Sequence, residues 1–327
     1  MPSKEDTDSK KETGREVFTH LLKGEPLSRP AFIPLPGGLL VRVGGVSLKD
    51  LTLDPTLWAS CLKKTAELFG FEGIVVGFDF TFMAEACGSE IFWENDEPSI
   101  VPLSQGVSQT PEKNPRMNNA LEVAQRVFQL CRPERVCLAA LTGPVTLASQ
   151  LFGVEKGPQQ ISEVKQLVTQ VTEAFCKLRP DVLLFMEDTP LTLSELHLNH
   201  RRIYTTLKNI AAYYNIPSGL YLQGYQPEQV QRFAKLAMDL YILGPSSDND
   251  FPSLSDLWNL AEGALGVGIS LPFDNLKKVR EIITQVVEFY HQRGGPRFFF
   301  TSHGPVTKEV DLEILHQVSK EIRQLRL

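Results

Sequence analysis

Asp79 lies in the run GIVVGFDFTF, where an ionised carboxylate is costly unless it is paired, hydrogen-bonded or open to a cavity. Its chemistry there would be that of an acid, a base or an anchor for a cation; the alternative is a cap for the helix that follows. Glu187 and Asp188 close VLLFMED, and one of the two is expected to cap the next helix while the other faces a site. His303 ends RFFFTSHG, where three aromatics deliver a polar tip with an imidazole able to shuttle a proton or bind a metal. Of the six histidines it alone sits at an expected strand end. His20, His291 and His316 fall in helical segments. His197 and His200, three apart in SELHLNHRR with no HExxH pattern, are expected on a helix surface.

These side chains need elements to bring them together. Short apolar runs recur at 31–36, 73–80, 136–143, 182–188, 218–224, 240–245, 266–272 and 297–304, each nearly continuous in hydrophobicity and ending in Gly, Pro or Asp. Parallel strands covered on both faces read this way. Between them, apolar residues follow a helical period at 55–70, 120–130, 161–178, 204–215, 227–237, 275–293 and 311–325, with Gly70 and Gly294 placed as C-caps. The alternation predicts an α/β protein, a single (β/α)8 TIM barrel over 13–327 behind a disordered tail at 1–12; an open doubly wound sheet is the alternative.

In such a barrel the site is built at the C-terminal ends of the strands. Asp79, Glu187, Asp188, Tyr221, Gln223 and His303 are then expected to converge on one mouth, and replacing Asp79 or His303 to cost activity rather than folding. In LTGPVTLASQLFG, Gly143 and Thr146 open a helix whose first amides could hold a carboxylate or phosphate. Gly37-Gly38 permits a close backbone approach. Walker, GxGxxG-plus-acid and GxSxG patterns are absent, which lowers nucleotide-dependent and serine-hydrolase chemistry.

The bulk composition sets outer limits. The 327 residues are 42% hydrophobic and 22% charged, as in soluble globular proteins, and the net charge of -6 argues against a nucleic-acid surface. No stretch of about 18 apolar residues exists to cross a membrane, and the charged start is unlike a signal peptide. Five cysteines without CxxC spacing suit reduced thiols in a cytoplasmic protein.

Taken in order, several segments resemble the uroporphyrinogen decarboxylase superfamily, which includes corrinoid-dependent methyltransferases. They are GREVFTHLLKGEPLSRPAFIP, GFDFTFMAEACGSEIFWENDEPSIV, LTGPVTLASQLFG, DVLLFMEDTPLTLS and FTSHGPVTKEVDLEIL, covering roughly 12–326. The resemblance places Asp79 on the decarboxylase aspartate that holds pyrrole N–H groups, and His303 on the histidine of its G-H-G turn. The arginine-bearing R-Q-A-G-R motif is replaced by PLPGGLL, with Arg42 close by, and Gln150 stands nearest the place of the pocket tyrosine. The H-x-C pair that binds zinc in the thiol-methylating branch is Tyr221-Leu222-Gln223 here, so zinc could be held only by a harder set such as Glu187 and His303. The GPVTLAS segment is closer to the methyltransferase branch. The resemblance therefore implies a corrinoid-dependent methyltransferase acting on a non-thiol or folate-type substrate. With no D-x-H-x-x-G motif in this chain, the cobalamin would be carried by a separate corrinoid protein. Asp79, Glu187 and His303 would be catalytic; Tyr221, Gln223, Asp188, Gly143, Thr146, Gln150 and Arg42 would line the substrate site. Decarboxylation of a tetrapyrrole, or a binding barrel without catalysis, are the alternatives.

Overall fold

Seven of the eight apolar runs become strands of one parallel sheet in the computed structural model, which describes residues 12–77, 79, 81–104, 106–108, 110–188, 198–248, 251–294 and 296–327. The strands are β1 (Gly73–Val76), the hairpin β2 (Ile91–Glu94) and β3 (Glu97–Ile100), β4 (Val136–Thr142), β5 (Val182–Glu187), β6 (Ser218–Leu222), β7 (Leu240–Leu243), β8 (Gly266–Leu271) and β9 (Arg297–Ser302). The sheet runs β1-β4-β5-β6-β7-β8-β9, with every neighbouring pair parallel. Its strands are buried almost throughout, as in a parallel sheet covered on both faces.

The run at 31–36 is not a regular eighth strand. Phe32 makes one parallel bridge to Phe300, Ile33 N donates to Phe300 O (2.8 Å) and, on the other side, Glu72 N donates to Phe32 O (3.0 Å). One segment thus bonds to both edges of the sheet, which therefore curls. Pro30, Pro34 and Pro36 have no N–H to give, so the expected eight-stranded ladder is reduced here to a bridge.

The helices are α1 (Gly14–Lys23), α2 (Leu39–Gly44), α3 (Leu48–Leu53), α4 (Pro55–Phe69), α5 (Phe82–Ala86), α6 (Pro115–Cys131), α7 (Pro144–Phe152), α8 (Ile161–Lys177), α9 (Leu198–Tyr213), α10 (Leu254–Leu260), α11 (Leu276–Arg293) and α12 (Leu312–Ile322). Their starts follow capping chemistry. Thr13 and Glu16 form a capping box, and the side chains of Asp54, Asn114, Asn275 and Asp311 accept from first-turn amides. Gly70 ends α4 in a left-handed conformation, as the sequence predicts. The expected helix at 227–237 is instead a 3-10 helix, Pro227–Leu236. Its buried residues Val230, Phe233 and Leu236 recur every third position, which matches three residues per turn.

The expected tail lies almost wholly outside the described residues; Glu12 is tied down, its carboxylate accepting from Ser28 and its carbonyl from Arg29. All five cysteines are buried and unpaired. Among the described residues no helix is long and apolar enough to cross a membrane.

Candidate active site

Strand direction gathers the candidate residues at one end of the sheet, since Asp79, Gly143, Glu187, Gln223 and His303 all stand at or just beyond C-terminal strand ends. What each can do depends on its partners.

Asp79 is not on a strand. Ordered pairing stops at Val76, and Gly77 takes φ 91° with so close an approach to β4 that a Cβ would fall 2.4 Å from Ala140 O. Beyond this turn Asp79 is buried. Its Oδ1 accepts from Thr81 N (2.8 Å) and Thr81 Oγ1 (2.7 Å), and its Oδ2 from the guanidinium of Arg116. Arg116 also donates to Thr81 Oγ1 (2.9 Å) and Glu85 (3.2 Å), and its guanidinium lies 5.4 Å from the centroid of the Trp93 ring. Both oxygens of Asp79 are therefore engaged by the protein, so that of the expected ways to keep a buried carboxylate it is the hydrogen-bonded, cation-paired one that the structure shows. Arg116 was not singled out in the sequence. The signal was its position at the start of α6 on the same face as Met117, Ala120, Val123, Ala124 and Val127, all of which are buried.

Glu187 is fully buried. Its carboxylate accepts from Val145 N (3.1 Å), Thr146 N (2.7 Å) and the hydroxyl of Tyr204. The helix start at Gly143-Pro144 does hold a carboxyl group, as its sequence suggests, but that group is the protein's own Glu187 rather than a substrate's. A Cβ on Gly143 would fall 2.1 Å from the Glu187 carboxyl, so this seat requires glycine. Burial pushes the Glu187 pKa up to about 7, against the hydrogen bonds from Thr146, Tyr204 and Val145 that lower it. Thr146 Oγ1 accepts from Asp188 N (2.9 Å), which ties the half-buried Asp188 to the same seat. Glu187, Gly143 and Thr146 thus join β5 to α7 instead of facing a ligand.

A second cluster forms around His303. Tyr221 donates its hydroxyl proton to Gln223 Oε1 (3.1 Å), and a Cβ on Gly304 would lie 3.8 Å from each of these oxygens. The imidazole of His303 packs edge-on to Phe251, centroids 5.8 Å apart, and its Nε2 is buried with no hydrogen-bond partner among the described residues. Burial lowers its pKa to about 4, helped by the charge of Lys278 and opposed by Asp274. The imidazole is accordingly neutral at pH 7. It borders a cavity of ≈ 550 Å³ shared with Phe273, Asp274, Lys278, Thr307 and Ile314. Gln150 Oε1, on α7, also has no partner among the described residues.

Arg42, expected to line the substrate site, is exposed, and its Nη1 donates to the carbonyls of Lys308 (3.1 Å) and Val310 (2.6 Å). His197 lies outside the described residues. His200 is buried rather than on a surface, with Nε2 2.7 Å from Pro158 O. It shares a face with Ile203, Tyr204, Leu207 and Ala211, a periodicity present in the sequence. Among the described residues no group of three or more His, Cys, Asp or Glu is arranged to hold a metal. With both Glu187 oxygens engaged, a Glu187–His303 metal pair does not fit.

No curated protein matches the chain. Among solved structures, a methyltransferase from Methanosarcina mazei superposes with TM-score 0.76 at 17% identity, over 95% of this chain and 98% of that one. A B12-independent methionine synthase from Shewanella sp. W3-18-1 superposes with TM-score 0.58 at 13% identity, over 90% of this chain and 96% of that one. These likenesses are of fold. The family profile described as uroporphyrinogen decarboxylase (URO-D) matches residues 13–182, just over half of the sequence, and the chain belongs to that family.

Proposed function

We propose that this protein is a methyltransferase, moving a methyl group between a corrinoid carried by a separate protein and a small acceptor or donor of the non-thiol or folate type. The observation that carries the reading is the buried, unpartnered Nε2 of His303, which borders a cavity one residue before Gly304, where a Cβ would lie 3.8 Å from Tyr221 Oη and Gln223 Oε1. A buried polar atom left without a partner is rare unless a ligand supplies one. Two structural neighbours whose descriptions name methyl transfer or methionine synthesis support the class. The reading takes the curled sheet as a closed (β/α)8 barrel, supported by the bonds of the Phe32 segment to both sheet edges.

Decarboxylation loses its central group, because the two oxygens of Asp79 are occupied by Thr81 and Arg116 and are not presented to pyrrole N–H groups. A zinc-activated thiolate finds no fitting donor set among the described residues.

A methyl-corrinoid delivered by the partner would supply the methyl group as a substrate. Transfer to the acceptor's lone pair would leave the methyl–cobalt bonding pair with the departing corrinoid, and the proton of an X–H acceptor would pass on to solvent, since an imidazole of pKa about 4 does not retain it near neutral pH. His303, neutral above pH about 4, accepts a hydrogen bond from the acceptor's X–H at Nε2 and orients its lone pair. Tyr221 and Gln223 provide the neighbouring polar wall, and Phe251 keeps water from one side of the imidazole.

The test is anaerobic titration with methylcobalamin, with tetrahydrofolate and thiols offered as acceptors and uroporphyrinogen turnover as control. Demethylation of the corrinoid is expected, and His303→Ala is expected to lower its rate by ~100-fold with the fold intact. Loss of porphyrinogen carboxyls without corrinoid change would overturn the reading; silence in both assays would favour a binding barrel. The rate should be flat from pH 8 to 5 and fall as pH drops through about 4, where His303 gains its proton. Because this pKa is lowered on folding, the His303 contribution to stability is present above the ordinary value of about 6.5 and is lost as pH falls toward 4.

A further inference from the structure

The turn after the first apolar run is locked onto the loop that carries His303. Leu35 N donates to Ser302 Oγ (2.8 Å), Val306 N to Leu35 O (2.8 Å) and Leu39 N to Val306 O (3.2 Å). Arg42 adds its bonds to the carbonyls of Lys308 and Val310. Between these ties there is no room for a side chain. A Cβ on Gly37 would fall 2.7 Å from Pro305 Cβ and from Val306 O, and one on Gly38 would fall 2.8 Å from Lys308 N. Gly37 also has a left-handed φ of 45°, but Gly38 has φ −63°, which any residue adopts. Close approach alone therefore calls for glycine at 38.

The imidazole that this loop presents has Nε2 unbonded among the described residues, and its recorded ring contact is with Phe251. Its angle of entry depends on the backbone at 302–306, and that backbone is held from below by residues 35–42. We infer that Gly37, Gly38 and Arg42 are positioning residues for His303, forming a clamp that fixes how the imidazole enters the mouth. The segment that resembles the family's arginine-bearing motif by place works here through backbone contact, with its one arginine turned to the loop carbonyls. The inference deepens the proposed function, since it takes His303 as the working group, and it is tested without relying on turnover.

The experiment is NMR of the full chain with isotope-labelled histidine, following the His303 ring signals, identified by their loss in His303→Gln. Gly38→Ala and Arg42→Ala are expected to shift those signals and to raise the His303 pKa from about 4 by roughly one pH unit toward its ordinary value, as the loop loosens and the imidazole gains water. Arg42→Lys, able to reach one carbonyl, should restore part of the shift. Gly106→Ala, whose Cβ meets nothing within 4 Å, should leave His303 unchanged, and the signals of His20 and His316 should be constant throughout. Unchanged His303 signals in folded Gly38→Ala and Arg42→Ala would overturn the clamp. Should Gly38→Ala fail to fold, Arg42→Ala decides alone, because Arg42 is exposed. Shifted His303 signals in a protein that transfers no methyl group would uphold the clamp and sink the functional reading.

Discussion

Asp79→Ala is expected to destabilise the protein by ~3–5 kcal/mol, and Arg116→Ala by a similar amount. Each partner is about 95% buried, so removing either leaves a charge away from water. Arg116 would retain Glu85 at 3.2 Å, but Asp79 would keep only Thr81, so Arg116→Ala should be the more damaging of the two. Asp79→Asn preserves the acceptor for Thr81 N and should cost less, ~1–3 kcal/mol. Replacing both partners together, by Leu at 79 and Met at 116, should recover much of the loss, because an apolar pair carries no desolvation penalty. Denaturant unfolding of the two single variants and the double variant measures this as a coupling energy. Single losses below about 1 kcal/mol, with no coupling, would mean that the pair is open to water in solution. The sequence alone leads to the expectation that replacing Asp79 costs activity rather than folding; the buried pair with Arg116 of α6 leads instead to an expected loss of stability.

Glu187→Ala is expected to be as severe, ~4 kcal/mol. It strands the amides of Val145 and Thr146 and the Tyr204 hydroxyl, and leaves a cavity where β5 meets α7. Glu187→Gln should cost about half as much, because its NH2 must face a donor. The pH dependence distinguishes this carboxyl from a merely buried one. Folding raises its pKa from 4.5 to about 7, so the folded state holds the proton more tightly. The associated stability is fully present below about 4.5 and lost as pH rises through 7, on the order of 3 kcal/mol in all. Unfolding curves at pH 4.5 to 8 should show this fall in the native protein and its absence in Glu187→Gln. Parallel pH profiles for the two proteins would show that Glu187 is not held in its protonated form.

The sheet was legible because parallel strands buried on both faces read as continuous apolar runs, here bounded by Gly, Pro or Asp and too short for a buried helix. VCLAALTG, VLLFMED and GVGISLP became β4, β5 and β8 with ends shifted by a residue or so. Misreadings came where a local backbone constraint overrode hydrophobicity. Prolines stripped the first run of donors, Gly77 ended β1 early, and a three-residue apolar spacing at 230–236 selected a 3-10 helix.

The sequence by itself determined the class of fold and the end of the sheet at which polar residues gather, because these follow from periodicity and strand direction, while the family is legible only as a resemblance carried by motif segments taken in order. It puts His303, Tyr221 and Gln223 at strand ends on the same side of the sheet, and a Cβ on Gly304 would lie 3.8 Å from Tyr221 Oη and Gln223 Oε1. Only the tertiary structure decided which polar groups remain available. Asp79 and Glu187 look as reactive in sequence as His303 does, yet Arg116, Thr81, Tyr204 and the first amides of α7 occupy their oxygens, and of these partners only Thr81 is set by local pattern. A buried charge is stable only when distant residues complete its hydrogen bonds, and those partners lie from 17 to 42 residues away for all but Thr81. Availability for hydrogen bonding is what remains after that pairing, and His303 Nε2 is among the buried atoms that keep it.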